Sequence, residues 1–427
     1  MNKIDRVEIA GFWGNRELAI DFFSDVNFFI GVNGSGKTTV INIIAAALAA
    51  DFPTLDRLPF KTIRIELSEV GGRKKPSIEV EKVENEDTPY ASITYRIKEK
   101  ASEKYKEYSL DEFEEEALIR RRIPTRQYRS YMRQRINRGI LARLESIANV
   151  SWLSIHRSSS SRYSAEVESY ESSVDQKLEE LSNDLGKYFS VLASKVSDEI
   201  AEFQRNIISS LLTEQTESAV FSLVKSFDLE EEKKALNEIF KKLKIGGRSA
   251  ESKIDKHFLE VREARDKLGG KEGLDLNDLM TLVNSYRSHR VVENWNKLLK
   301  KQAEILKPKA TLVKVLNSLF QRKVIYINET NEIEATTDSG KRLSIRGLSS
   351  GEKQLIIILG EALLQRESPW IYIADEPELS LHVRWQEKLI ENLRLVNPQA
   401  QIICATHSPD VVSTFANNIF DMESMIK

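Results

Sequence analysis

A single cysteine, Cys404, stands in 427 residues, so no intrachain disulfide can form and no cysteine-based metal site can be built. It lies in the apolar run Ile402–Ile403–Cys404–Ala405 and reads as a small buried core residue. Histidine is nearly as scarce, at five, and no HxxH, DxD cluster or cysteine pair suggests a metal nuclease. Excess charge of either sign is missing too. The formal net charge is −2, which excludes a bulk nucleic-acid binder and leaves only a local patch to do that work. No apolar stretch approaches the ~20 residues of a membrane span. Asp5, Arg6 and Glu8 interrupt any signal-peptide core. Together these absences point to a cytoplasmic setting with no membrane contact. What remains is 41% hydrophobic and 30% charged residues, ordinary for two or three domains with some long exposed helices.

Against that background one stretch stands out. GVNGSGKT, Gly31 to Thr38, fits G-x-x-x-x-G-K-[ST] at every fixed position: Gly31, Gly36, Lys37 and Thr38. Glycines let successive backbone N–H groups turn inward into a concave anion site. Asn33, Gly34, Ser35, Gly36, Lys37, Thr38 and Thr39 are the candidate phosphate cradle. Lys37 adds charge for β- and γ-phosphates, and the Thr38 hydroxyl is a candidate Mg²⁺ ligand. VNFFI (Val26 to Ile30) before it reads as a buried strand. Thr39 to Ala50 after it reads as a helix whose N-terminus would face the phosphates.

Elsewhere the chain alternates between sheet and helix patterns. Arg6 to Ile9 and Leu18 to Phe22 read as strands joined by a turn at Gly14–Asn15. Phe12 and Trp13 lie between them, either as adenine-stacking aromatics or as ordinary hairpin residues. Residues 61 to 98 alternate with period two and read as an antiparallel sheet with one wet face. Residues 110 to 149 read as helical, broken near Pro124, acidic first and then arginine-rich. Eight arginines crowd the nineteen positions from Arg120 to Arg138. They would hold a DNA or RNA backbone, or acidic surfaces of this chain or a partner. Asn149 to Ile155, with VSWLSI, reads as a buried strand.

From about 170 to 213 Val174, Leu178, Leu181, Leu185, Tyr188 and Leu192 recur at 4-3 spacing, the pattern of a coiled-coil seam. Val196, Ile200, Phe203 and Ile207 continue it past a stutter. A second helical region covers 229 to 318, with breaks at Gly246–Gly247 and Gly269–Gly270. Its Leu282, Tyr286, Trp295, Leu298 and Leu299 would supply a returning strand of the coil; a compact helical domain is the alternative. The histidines within it, His257 and His289, read as solvated.

Strand character resumes at Val324 to Ile327, Glu332 to Thr336 and Arg342 to Ile345. LSSGEKQ (Leu348 to Gln354) then opens a helix, with Ser349 and Ser350 as caps and Gly351 allowing close backbone approach. IYIADEP (Ile371 to Pro377) runs an apolar strand into Asp375, placed to hold Mg²⁺, and Glu376, placed to polarise the attacking water. ELSLHVRWQ (Glu378 to Gln386) follows, and IICATHSP (Ile402 to Pro409) ends the next strand at His407.

In this order the motifs resemble those of ABC-type ATPases of the SMC, RecF and OLD-like group, over roughly 1–157 and 322–427. Within it the chain is similar to bacterial subunits that carry LSSGEKQ with DEPELSLHxxWQ, some of which serve in phage-defence systems of the PARIS and Septu kinds. The resemblance implies an α/β fold: a P-loop ABC-type ATPase head with a mixed sheet and an antiparallel β-subdomain, at 1–165 and 319–427. A helical or coiled-coil insertion at 166–318 would interrupt it. It implies ATP and Mg²⁺, with Thr38 and Asp375 on the metal. Two heads would sandwich two nucleotides, Lys37 and Thr38 of one facing Ser349, Ser350 and Gly351 of the other. Glu376 would be the base and His407 would touch the γ-phosphate. The glutamine this group often places after the first core strand is not obvious, and His156 or Arg157 stands there. OLD-type nucleases carry a TOPRIM domain after the ATPase. Only about 18 residues follow Pro409 here, so a nuclease or toxin effector is expected on another chain. The functional expectation is an ATP-hydrolysing switch, a homodimer or higher homo-oligomer, that controls such an effector in anti-phage defence. The alternative is a DNA-repair or DNA-maintenance ATPase that binds duplex DNA through Arg120–Arg138.

Overall fold

The computed structural model describes residues 1–83, 91–109, 139–153, 173–210, 226, 228–269, 273–379, 381–412 and 415–426. The arginine cluster Arg120–Arg138, the 110–138 helical reading, and His156 and Arg157 lie outside them. The chain divides into two compact units, Met1–Lys187 with Ala310–Lys427, and Tyr188–Lys309.

The first unit begins with β1 (Asn2–Phe12), β2 (Arg16–Asp21) and β3 (Val26–Ile30), followed by α1 (Lys37–Leu48) and α2 (Phe52–Arg57). Then come β4 (Thr62–Glu69), β5 (Ser77–Val83), β6 (Ser92–Lys98), β7 (Lys106–Ser109) and β8 (Val150–Leu153). The period-two stretches build a six-stranded antiparallel sheet in the order β2-β1-β4-β5-β6-β7. Its inner face is Ile63, Ile65, Leu67, Ile78, Val80, Ile93, Tyr95 and Ile97, and its outer face carries cross-strand ion pairs such as Arg96 with Glu79 and Glu81.

A helix that is apolar all round must be covered on every side. Val40 to Leu48 of α1, apolar but for Asn42, is close to this, and all nine of its residues are buried. It shares one core with the inner face of the antiparallel sheet and with Phe29, Ile371, Ile373, Ile403 and Ala405. Gln401 joins β1 to the core strands: its amide oxygen accepts from Ile4 N–H (2.7 Å) and its nitrogen donates to the Ile4 and Phe23 carbonyls (2.8 Å each).

The second unit and the borders of the first are helical. α3 (Ser173–Ser210), α4 (Leu229–Lys242), α5 (Arg248–Gly269) and α6 (Leu276–Leu319) match the periodic segments and their glycine breaks. Within the second unit α3 and α6 are antiparallel. Lys309 lies over the Phe189 ring, Lys301 pairs with Glu199 (2.7 Å), and Phe203 meets Trp295 edge-on. There α4 and α5 join the same apolar cluster through Leu236, Ile239, Ile254, Phe258 and Val261. The antiparallel coil is thus present, with a small helical core built on it. Two readings need correction. Ile200 is exposed, so the seam does not run unbroken. Neither histidine is freely solvated: His289 Nδ1 lies 2.6 Å from Glu232, and His257 Nε2 is buried.

The remaining elements are β9 (Lys323–Ile327), β10 (Ile333–Thr337) and β11 (Arg342–Ser344), α7 (Ser350–Leu364), β12 (Ile371–Asp375), α8 (Val383–Val396), β13 (Gln401–Ala405), α9 (Pro409–Val412), β14 (Ile419–Asp421) and α10 (Met422–Met425). β9 to β11 form a small antiparallel sheet, and β14-β3-β13-β12-β8 form a five-stranded sheet whose paired strands are all parallel. The start of α3 packs on α7 within the first unit. A Cβ on Gly360 would come within 2.8 Å of Leu181 and 3.1 Å of Leu185, so glycine permits this approach. Lys353 with Asp175 (2.6 Å), Lys177 with Glu361 (2.7 Å) and Arg346 with Glu179 (2.7 Å) flank the contact. Gly360→Leu should therefore lower stability by about 1–3 kcal/mol, the scale of overpacking, read as a lower denaturant midpoint at unchanged slope. A midpoint equal to the parent's would mean that α3 and α7 do not pack this closely.

Candidate functional site

Parallel strands deliver their C-terminal ends to one edge of the sheet, and ligands of open α/β sheets bind there. Here that edge collects three loops. β3 leads into Gly31–Thr38, β12 ends at Asp375, and β13 ends just before Thr406 and His407. The register aligns them, with Asp375 opposite Ala405 and Ala405 opposite Phe29.

The phosphate loop needs glycine at two places for steric reasons. Gly36 has φ +95°, and a Cβ there would lie 3.0 Å from both the Phe12 and Trp13 rings. Gly31 has φ +141°, and a Cβ would lie 2.8 Å from Ser35 Oγ. Asn33 and Gly34 are exposed at the loop tip, and Thr39 is half-buried in the first turn of α1. The buried Lys37 ammonium donates to the carbonyls of Gly31 (2.8 Å) and Val32 (3.1 Å). Burial lowers its pKa against the opposing pull of Glu376, Asp375 and Glu423. Phe12 is fully buried, so it is a core residue and not a nucleotide contact. Trp13, partly exposed, stacks on it with centroids 4.7 Å apart.

The Thr38 hydroxyl donates to Asp375 Oδ1 at 3.0 Å. A hydroxyl and a carboxylate oxygen so close suit a hard cation such as Mg²⁺. Ser35 Oγ is buried and has no hydrogen-bond partner among the described residues, as expected of a group aimed at a phosphate oxygen. The donor set therefore fits a magnesium–nucleotide ligand. No group of three or more His, Cys, Asp or Glu side chains that could hold a metal occurs among the described residues.

Glu376 has φ +49°, a left-handed conformation that costs a non-glycine residue about 1–2 kcal/mol. Its backbone N–H donates to Ala405 O (2.9 Å), which holds it in place beside β13. Such strain is typical of sites where a side chain must be aimed. Glu376 Oε1 lies 3.7 Å from His407 Nε2, and both side chains are partly exposed. Lys37, Thr38, Asp375, Glu376 and His407 thus gather at one edge.

Ser349, Ser350 and Gly351 of LSSGEKQ make no hydrogen bond to them among the described residues. Ser349 caps α7 in a reciprocal box with Glu352, whose carboxylate Lys323 also grips at 2.7 and 2.9 Å. Burial pushes the Glu352 carboxyl up, but Lys323 and Ser349 outweigh it and hold the pKa below the usual range. Ser349 and Ser350 are exposed and Gly351 is buried. Among the described residues no hydrogen bond links these three to the 31–38 loop.

Residues 2–412 match the model of the AAA ATPase domain. The chain belongs to the AAA ATPase domain family. Among curated proteins it is 25% identical to the retron Vc95 probable ATPase of Vibrio cholerae serotype O1 biovar El Tor, over 42% of this chain and 35% of that protein. It is 32% identical to the Septu protein PtuA of Bacillus thuringiensis, over 21% of this chain and 26% of that one. The matched stretches thus span about a third and a quarter of those relatives. The Smc head domain of Pyrococcus furiosus, with an extended coiled coil and bound to the C-terminal domain of ScpA, superposes at TM-score 0.37. It is 14% identical and is matched over 96% of this chain and 91% of that one. The Smc head domain of Pyrococcus yayanosii, with a coiled coil and joint, gives TM-score 0.39 at 14% identity over 96% and 93%. These two likenesses are loose. Among the described residues of this ATPase domain, no helix is long and apolar enough to cross a membrane.

Sequence reasoning did not single out Lys323, Gln354 or Glu378 in the ATPase domain. Lys323 grips the cap of LSSGEKQ, the signature motif that opens α7, from the start of β9, and Gln354 Nε2 donates to Pro377 O at 2.9 Å. Glu378 is buried against Thr406 and His407. The one signal for Glu378 was an acid standing two residues past Glu376 in the PELSLH loop.

Proposed function

We propose that this ATPase is a switch: it binds and hydrolyses Mg²⁺–ATP, pairs through its heads, and controls a separate effector, a nuclease or toxin, in anti-phage defence. One observation carries the reading. The phosphate loop, Asp375, Glu376 and His407 share one sheet edge, while Ser349 and Ser350 are exposed and, among the described residues, no hydrogen bond joins Ser349–Gly351 to the 31–38 loop. Half of a nucleotide clamp is assembled in one chain, and its other half is free to serve a second copy. Similarity to a retron ATPase and to a Septu protein supports the defence setting.

The chain's residues divide the chemistry. Backbone N–H groups of 33–38 and the Lys37 ammonium bind the phosphates. Thr38 and Asp375 hold the cation, which when bound neutralises charge on the phosphate oxygens. Glu376 accepts a proton from the attacking water and aims it. His407, beside Glu376, donates a hydrogen bond to the terminal phosphate. Coupling to an effector would run through α3, because its first turns are clamped to α7 behind the signature motif and its later residues belong to the second unit.

The test is phosphate release by the full chain with Mg²⁺ and with excess chelator. Release should require the metal. Lys37→Ala should weaken ATP binding at least tenfold by removing a charged phosphate contact, worth about 1.5–3 kcal/mol. Metal-independent release, or unchanged affinity in Lys37→Ala, would contradict the site.

A further inference from the structure

A carboxylate buried without a cation is expensive and is not retained casually. Glu378 is 6% exposed, and no ion pair reaches it among the described residues. Its Oε1 accepts from the Thr406 hydroxyl and from the His407 backbone N–H (3.3 Å). Its Oε2 is buried with no partner among the described residues. Burial pushes its pKa up, against the pull of Thr406 and the nearby backbone amides.

The bonds around it close a ring. Thr406 Oγ1 accepts from Ser408 N–H (2.9 Å), and the Ser408 hydroxyl donates to Gln386 Oε1 (2.7 Å). Gln386 Nε2 then donates back to Leu381 O (2.9 Å), in the loop that carries Glu378. From the other side Gln354, on the signature helix α7, donates to Pro377 O (2.9 Å). Glu378 is thus where the loop after Asp375–Glu376, the signature helix and the loop bearing His407 meet.

We propose that Glu378 is a positioning residue for ATP hydrolysis: its buried carboxyl oxygen fixes the His407 backbone and so sets the imidazole against Glu376 and the terminal phosphate. The proposal rests on the ATPase reading above. A purely structural Glu378 would stabilise the loop without acting through His407, and the two roles separate in a double-mutant cycle.

Phosphate release and melting temperature would be measured for the full chain and for Glu378→Leu, Glu378→Gln, Thr406→Val, His407→Ala and the pair Glu378→Leu with His407→Ala. Glu378→Leu should lower kcat roughly 10- to 100-fold, the scale of a lost supporting partner, with KM within about threefold. Glu378→Gln keeps an acceptor oxygen and should recover most of that rate. In the His407→Ala background Glu378→Leu should add less than about twofold, because its route of action is gone. If Glu378→Leu does not fold, Thr406→Val, close in size but without the hydroxyl that donates to Glu378 and accepts from Ser408 N–H, takes its place in the same cycle. An equal further loss in the His407→Ala background overturns the proposal. So does an unchanged kcat in Glu378→Leu, or a Glu378→Gln as slow as Glu378→Leu. A wild type without Mg²⁺-dependent release would overturn the ATPase reading itself; a normal wild type with additive losses overturns only the role of Glu378.

Discussion

Glu376→Gln should hydrolyse ATP at least about a hundredfold more slowly than the parent while binding it within a few-fold as tightly, the signature of a lost general base. The amide keeps the shape of the carboxylate, so the strained backbone at φ +49° and the bond from its N–H to Ala405 O persist. What is lost is the ability to take a proton 3.7 Å from His407 Nε2. Binding survives because Lys37, Ser35 and the 31–38 amides are untouched. Single-turnover phosphate release and nucleotide titration measure the two quantities separately. A rate near the parent's would remove Glu376 from the chemistry and return the role to another residue.

Ser349→Arg should leave ATP binding to one chain intact and abolish both hydrolysis and ATP-dependent association. Ser349 stands at the exposed start of α7, held by its box with Glu352. Losing that cap costs about 1 kcal/mol of helix stability, too little to unfold a domain of this size. The arginine adds length and charge at the surface that, on the proposed function, meets a neighbour's nucleotide. Hydrolysis should drop by roughly 10² or more, because electrostatic support of the transferring phosphate is lost. The controls are melting temperature and nucleotide affinity. A variant that still associates with ATP would show that Ser349 is only a helix cap.

The edge that carries the candidate site was largely legible in the sequence because its motifs have fixed spacing and each sits where an apolar strand ends. Lys37, Thr38, Asp375, Glu376 and His407 could be placed on loops without knowing which strands are neighbours. Their order in the sheet, with β3 between β13 and β14, could not, since strand pairing is a long-range choice. The 4-3 spacing of α3 was also read partly for the wrong reason. Periodicity says that a stripe is buried, not what buries it. Leu181 and Leu185 pack against Gly360 of α7, while Phe203 further along meets Trp295 of α6. Phe12, an aromatic beside a turn, reads from sequence either as an adenine contact or as an ordinary hairpin residue, and the sequence does not choose. In the structure it falls on the inward face of β1 and is fully buried. His289 gave no signal of its partner, Glu232, because 57 residues separate them. Glu378 escaped notice for the same kind of reason. An acid in a polar loop is ordinarily solvated, and only the fold turns this one inward.

On the proposed function, nucleotide couples two heads. If each γ-phosphate bridges two subunits, ATP binds the paired state more tightly than ADP does, and only that differential shifts the population. A hundredfold preference amounts to about 2.7 kcal/mol per site. Two sites per pair would move it from mostly open to mostly closed. The direct measurement is light scattering of Glu376→Gln with ATP, with ADP and without nucleotide. The particle should grow, in mass or in shape, with ATP alone. An identical mass and shape in all three conditions would contradict the switch.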